Sequence, residues 1–114
     1  MQRDQAYALD ILEAARRASG YVVTTRQEEF LADPMRQDAV IRCLAVVGEA
    51  ARRLSPDFRA ACPEAPWARM VGMRNRLVHD YDAVDAGRVW DTARHDLPAL
   101  IAALEPLVPP EDPP

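Results

Sequence analysis

The stretch PMRQDAVIRCLAVVGEAARRL, residues 34–54, carries the strongest helical pattern in the sequence. Its apolar side chains recur at intervals of three or four residues, which places them on one face of an α-helix. They are Val40, Leu44, Val47, Ala51 and Leu54. Asp33 followed by Pro34 is typical of a helix start, because aspartate caps the first N–H groups and proline fits the first helical position. We therefore expect a central helix over residues 34–54.

Gly48 interrupts this helix at a position where alanine would be more favourable. A glycine inside a helix costs about 1 kcal/mol relative to alanine, and close approach of a neighbouring helix would explain its presence. The next residue, Glu49, is polar. The sequence leaves two alternatives open for it: the side chain either faces solvent or supports the Arg-rich helix predicted further along the chain.

Two segments precede the central helix. An Ala-rich stripe predicts a helix over residues 4–19 with Asp4 as its cap. Gly20 lies near the end of that pattern, and the alternative is that Tyr21-Val22-Val23 extends the helix. Residues 24–33 mix charged and apolar side chains, so they form either a short helical turn or a loop.

Two more helices follow it. Ser55-Pro56 ends the central helix, and a connector with one turn leads to a helix over residues 67–79. A last helix is expected over residues 86–104, where Pro98 should produce a kink because proline donates no N–H.

Length and pattern together predict the fold class. No segment shows the alternation of a strand, so we expect an all-α antiparallel bundle of four to five helices. A chain of 114 residues has room for one core, which gives a single domain over residues 1–105 and a Pro-rich tail over residues 106–114.

Charge and composition limit the possible functions. The chain has 14 arginines, no lysine and a net charge of −4, so only a local basic patch would hold a nucleic acid. No apolar run approaches the roughly 20 residues of a membrane span, and the N-terminus does not resemble a signal peptide. These observations predict a cytoplasmic protein with no membrane partner, in which Cys43 and Cys62 are reduced.

The stretch RMVGMRNRLVHDY, residues 69–81, is the one candidate for chemistry. An arginine fork holds phosphate and keeps its charge, and a histidine transfers protons near neutral pH. Together they suit cleavage of an RNA phosphodiester without a metal or another cofactor. The alternative is structural: Arg74 and Arg76 as solvated charges, His79 as a complement to the helix dipole, and Tyr81 as an aromatic at the edge of the core.

Helical geometry restricts how this stretch acts. Positions five apart on a helix are turned by about 140°, so Arg74 and His79 point in different directions. They meet one substrate if the helix ends near His79, or if a second copy of the chain faces the first across a two-fold axis.

Other polar groups carry weaker signals. His95 follows Asp91 by four residues, the spacing of an ordinary surface pair on a helix. Asp80, Asp82 and Asp85 lack the loop glycine and closing glutamate of a calcium site, so we interpret them as a solvated turn and predict no metal site.

The spacing from Arg74 to His79 and Tyr81 resembles the Arg-x4-His-x-Tyr motif of HepT-like toxins, which belong to the HEPN superfamily of small helical ribonuclease domains. The likeness covers roughly residues 5–104. It includes Val47-Gly48-Glu49-Ala50-Ala51, Pro66-Trp67, Gly72-Met73-Arg74-Asn75 and Asp96-Leu97-Pro98.

This resemblance implies a metal-independent endoribonuclease with Arg74 and His79 as the catalytic pair at a homodimer cleft. Asn75 and Arg76 would bind or orient the substrate RNA. It further implies an MntA-like minimal nucleotidyltransferase antitoxin that transfers AMP to Tyr81, which would exclude RNA by bulk and like charge. The alternative is a non-catalytic helical subunit that dimerises or binds nucleotide and serves a nucleotidyltransferase.

Overall fold

The computed structural model describes residues 2–79 and 84–108, and every regular element within them is helical. The helices are α1 (Gln2–Val23), α2 (Gln27–Leu31), α3 (Pro34–Arg53), α4 (Pro56–Ala60), α5 (Trp67–His79), α6 (Ala86–Asp91) and α7 (Leu97–Leu104), with a π-helical turn over Thr92–Asp96 and a 3₁₀ turn over Glu105–Leu107. The all-α fold class is confirmed. Tyr81 and most of the predicted tail, residues 109–114, lie outside the described residues.

Helix α3 lies at the centre of the bundle in contact with α1 and α5, and α7 also packs on α1. Its predicted apolar stripe is buried throughout, from Val40 to Leu54. Asp33 caps it as expected, because its Oδ1 accepts a hydrogen bond of 3.1 Å from the Arg36 backbone N–H. The pattern in residues 34–54 therefore does specify the helix around which the others pack.

The prediction that Asp4 caps α1 was wrong. The helix already includes Asp4, whose carboxylate is buried and accepts hydrogen bonds from the Ser55 backbone N–H at 2.9 Å and from the Ser55 hydroxyl at 2.7 Å. Ser55 in turn caps α4 by accepting from the Phe58 N–H at 3.1 Å. Asp4 therefore fastens the start of α1 to the junction of α3 and α4.

An Asp4→Asn variant should lose stability in a pH-dependent way. The Ser55 backbone N–H, and then its hydroxyl, lower the pKa of Asp4 below its ordinary value. The ionised Asp4 carboxylate therefore contributes fully to the free energy of unfolding above its pKa in the unfolded chain, about 4. This contribution is lost as the pH falls through its lower pKa in the folded chain. Melting curves should separate native and variant chains at pH 6 and converge towards pH 2. Asp10→Asn, an exposed change on the same helix, should show no such convergence.

The last helical segment differs from a single kinked helix. It forms α6, a π-helical turn and α7, and the Leu97 N–H donates to the Thr92 carbonyl five residues back. Pro98 offers no N–H to the preceding turn, and the wider π turn adapts the chain to that loss.

The remaining fold predictions concern small elements. Residues 27–31 form the short helix α2, one of the two alternatives for that region, and α4 provides the turn around Phe58. Cys43 and Cys62 are free and buried, and burial raises the pKa of both thiols. Among the described helices, none is long and apolar enough to cross a membrane.

Candidate functional site

Helix α5 carries the predicted site and packs on α3 through one flank. Met70, Met73 and Leu77 are buried in the core, while Arg74 lies beside them at the edge facing α3. Its side chain is 26% exposed, far less than that of Arg69 on the same helix at 73%. The chain therefore holds Arg74 against the protein and leaves part of its guanidinium open to a ligand.

Gly48 explains how Arg74 sits so close to α3. A Cβ added at Gly48 would overlap the Arg74 Cβ and would lie 2.7 Å from the Met70 carbonyl oxygen. The predicted close approach of a neighbouring helix is confirmed, and that helix is α5. Any larger residue at this position must push the base of Arg74 away from α3.

The polar atoms around Arg74 fix its guanidinium. One terminal nitrogen donates to the Asn75 Oδ1 at 3.1 Å, and the other forms an ion pair of 3.1 Å with the Glu49 Oε2. Of the two alternatives for Glu49, support of the Arg-rich helix is therefore the one observed. Only the Asn75 contact is a well-aligned hydrogen bond, so four of the five guanidinium N–H groups have no hydrogen-bond acceptor among the residues that the structure describes.

Glu49 also holds two arginines of its own helix. Its Oε1 lies 2.9 Å from an Arg52 terminal nitrogen and 3.0 Å from the Arg53 Nε. Hydrogen bonds from Arg52 and Arg53, with the charge of Arg74 behind them, lower the pKa of Glu49 to about 2. The carboxylate therefore stays charged at any pH near neutrality.

His79 is the last residue of α5 and is exposed, as is Asn75. Helical geometry turns it by about 140° from Arg74, so the two side chains leave the helix in different directions. The end of α5 at His79 meets one of the two conditions for a shared substrate, while the directions of the two side chains leave them on different faces of α5. The residues after His79, including Tyr81, lie outside the described range.

Arg76 lies on the flank of α5 away from Arg74. It lines a groove of about 350 Å³ together with Arg88 of α6, and Arg69 enters the same groove paired with Asp96 at 2.8 Å. The structure thus divides the predicted basic patch, with Arg74 towards α3 and the other arginines towards α6.

Among the weaker candidates, Asp85 has a structural role. The Asp85 Oδ1 caps α6 by accepting from the Gly87 N–H at 2.9 Å, and Asp80 and Asp82 lie outside the described residues. His95 and Asp91 are both exposed. Within residues 2–79 and 84–108, no three His, Cys, Asp or Glu side chains come together as metal ligands would.

Arg52 and Arg53 are the members of this neighbourhood that sequence reasoning missed. Their signal is their spacing, because they follow Glu49 by three and four residues and so lie on its side of the helix. The sequence gives no such spacing between Glu49 and Arg74, whose contact depends on the packing of α3 against α5.

Comparison with known proteins identifies relatives along most of the chain. A model of the ribonuclease HepT-like family matches residues 11–107. A protein of Thermococcus cleftensis, named a probable ribonuclease HepT, is 39% identical over 101 residues, 89% of this chain and 92% of that protein. A protein of Methanocaldococcus jannaschii, provisionally named an RNase, is 37% identical over 101 residues, 89% of this chain and 93% of its own length. No solved structure matches the chain.

Proposed function

This chain belongs to the HepT-like ribonuclease family, and from that premise we propose that it is a metal-independent endoribonuclease toxin of a toxin–antitoxin pair. The observation that carries the proposal is the fixed guanidinium of Arg74, five residues before the exposed imidazole of His79 on one helix. Phosphodiester cleavage needs proton transfer and stabilisation of negative charge, and a histidine and an arginine can supply these two functions.

Arg74 is proposed to bind the scissile phosphate. Its contacts with Glu49 and Asn75 fix the guanidinium before substrate arrives, so little side-chain freedom remains to be lost on binding. The remaining N–H groups would hold a phosphate oxygen and stabilise the negative charge that grows in the transition state. Asn75 and Arg76 are proposed to orient the strand on either side.

His79 is proposed to move the protons. The ribose 2′-hydroxyl loses its proton and attacks the adjacent phosphorus, and the 5′-oxygen of the next nucleotide leaves with a proton supplied by a general acid. The products are a 2′,3′-cyclic phosphate and a 5′-hydroxyl end. Arginine supplies the charge and histidine the proton transfer, so the residues need no metal ion for either task.

A homodimer would join the two groups that one chain holds apart. Two copies related by a two-fold axis, with α5 at the interface, would bring two Arg–His pairs into one cleft. One imidazole would then act as base while its partner acts as acid. The directions of Arg74 and His79 on α5 support this arrangement.

Control of the toxin is proposed to act through Tyr81, two residues after His79. A minimal nucleotidyltransferase of the MntA type would transfer AMP from ATP to its hydroxyl, with pyrophosphate leaving. The added phosphate places a negative charge beside the arginines, and the nucleoside adds bulk where RNA would lie. Toxin and antitoxin would meet in the cytoplasm.

Cleavage should persist in excess EDTA. Purified, unmodified chain incubated with total RNA is expected to yield fragments ending in 2′,3′-cyclic phosphate, whether or not the chelator is present. Gel analysis and mass spectrometry of the fragment ends provide the measurement. No cleavage by folded, unmodified dimer would favour the non-catalytic subunit instead, and activity that appears only with a divalent ion would contradict metal independence.

A Tyr81→Phe variant should escape neutralisation. We expect it to arrest growth even when the nucleotidyltransferase is co-expressed, because it lacks the hydroxyl that accepts AMP. Intact mass of the native chain should rise by one or more AMP groups under the same conditions. Full neutralisation of the phenylalanine variant, or of an unmodified native chain, would contradict control through Tyr81.

A further inference from the structure

The end of α3 carries more positive charge than its internal contacts neutralise. Arg52 and Arg53 of α3 and Arg74 of α5 surround the single carboxylate of Glu49, and we refer to these three residues as the tri-arginine cluster. Three cations and one anion leave a local charge of +2 on a chain whose net charge is −4. This is a local basic patch in an otherwise acidic protein.

The cluster is open to solvent on the side away from Glu49. The side chains of Arg52 and Arg53 are 52% and 50% exposed, so each has N–H groups facing outwards while one edge is held by the carboxylate. The Glu49 Oε2 itself is buried and makes no well-aligned hydrogen bond within the described part of the chain. Its contact with Arg74 is therefore chiefly electrostatic, and it holds the guanidinium without saturating it.

Tyr7 extends the same surface towards α1. The guanidinium of Arg3 lies 5.9 Å from the centre of the Tyr7 ring, and Arg3 together with Arg53 lowers the pKa of the Tyr7 hydroxyl. Guanidinium groups therefore extend from α5 across the end of α3 to the start of α1, where Asp10 lines the same groove as Tyr7 and Arg53. Proteins that bind single-stranded RNA commonly combine these two groups: the bases stack on an aromatic ring, and the phosphates contact guanidinium groups.

We propose that the tri-arginine cluster binds the RNA strand, with Arg52 and Arg53 on phosphates next to the one held by Arg74. Glu49 is a positioning residue in this arrangement, because its carboxylate contacts guanidinium groups from both α3 and α5. The proposal rests on the ribonuclease function above and adds the path of the strand on one side of Arg74: it runs across α3 towards α1, on the flank of α5 opposite to Arg76.

Binding to a short single-stranded RNA tests the cluster separately from catalysis. The measurement uses the full-length His79→Ala chain, which keeps the RNA intact, and follows the Kd by fluorescence anisotropy as salt is varied. A double change, Arg52→Gln with Arg53→Gln, should raise the Kd about tenfold. It should also reduce the salt slope, the slope of log Kd against log salt concentration, by about 1.4, since each phosphate contact on a single strand contributes about 0.7. Arg16→Gln with Arg26→Gln removes the same charge from two exposed ion pairs elsewhere and is the matched control.

Glu49→Gln distinguishes positioning from net charge. If only charge mattered, removing a carboxylate would tighten RNA binding. We expect the opposite for a positioning residue: a Kd several times higher and, in the chain with His79 intact, a kcat about tenfold lower. Glu29→Gln, which breaks an exposed pair with Arg26, removes the same charge far from the cluster and should leave both values unchanged.

Two outcomes overturn the inference. One is a cluster variant whose Kd and salt slope equal those of the Arg16 and Arg26 control; the other is a folded Glu49→Gln chain that binds RNA more tightly. Arg52 and Arg53 are exposed enough that their variants should fold even if Glu49→Gln does not. Failure of the proposed function would give another result: the cluster variants would bind RNA more weakly, but the native chain would not cleave RNA.

Discussion

A His79→Ala variant is expected to cleave RNA about a thousandfold more slowly than the native chain, the loss typical of removing a general acid or base. Its unfolding temperature should stay unchanged, because His79 is exposed at the end of α5. Cleavage rates on a labelled RNA, measured beside melting curves, give both quantities. In cells, the same change should abolish growth arrest.

His95→Ala is the matched control for this experiment. It removes the other histidine of the chain, which is likewise exposed on a helix, and should cleave RNA at the native rate. A His79→Ala variant that cleaves as fast as the His95→Ala control would remove His79 from the mechanism. Equal losses in the two variants would instead indicate a general effect of histidine removal.

Helices α3 and α5 could be predicted because their signals are local. Asp33 and Pro34 start α3, its apolar stripe continues to Leu54, and α5 has the predicted bounds Trp67–His79. The role of Asp4 could not be predicted, because its partner Ser55 is 51 residues away and only the fold brings them together. Pro98 predicts a kink, but not the π-helical turn over Thr92–Asp96 that the chain forms there.

The candidate site also combines features that local sequence predicts with contacts that depend on tertiary packing. The sequence predicts Arg74, Asn75, Arg76, His79 and Tyr81 as one stretch, and their roles stay predictions. The sequence does not show which flank of α5 faces α3, because that depends on how the two helices pack. This packing makes Glu49 the partner of Arg74. The spacing of Glu49 from Arg52 and Arg53 was visible, but their link to Arg74 was not.

A Gly48→Val variant should lose about 3 kcal/mol of stability, towards the upper end of what overpacking usually costs. The new side chain would occupy the space of the Arg74 Cβ and approach the Met70 carbonyl, and neither is a flexible side-chain end that can swing aside. Helices α3 and α5 must then separate, and the unfolding temperature should fall by about 10 °C. Thermal and urea unfolding followed by circular dichroism measure the change.

The same separation should also affect the site. Moving α5 from α3 lengthens the 3.1 Å contact between Glu49 and Arg74, so cleavage should fall even at temperatures where the variant is fully folded. Gly20→Ala is the control, because a Cβ there has no neighbour within 4 Å in the described structure and should stabilise α1 by about 0.5–1 kcal/mol. Native stability in Gly48→Val would mean that α3 and α5 do not meet at Gly48, and the placement of Arg74 beside Glu49 would fail with that contact.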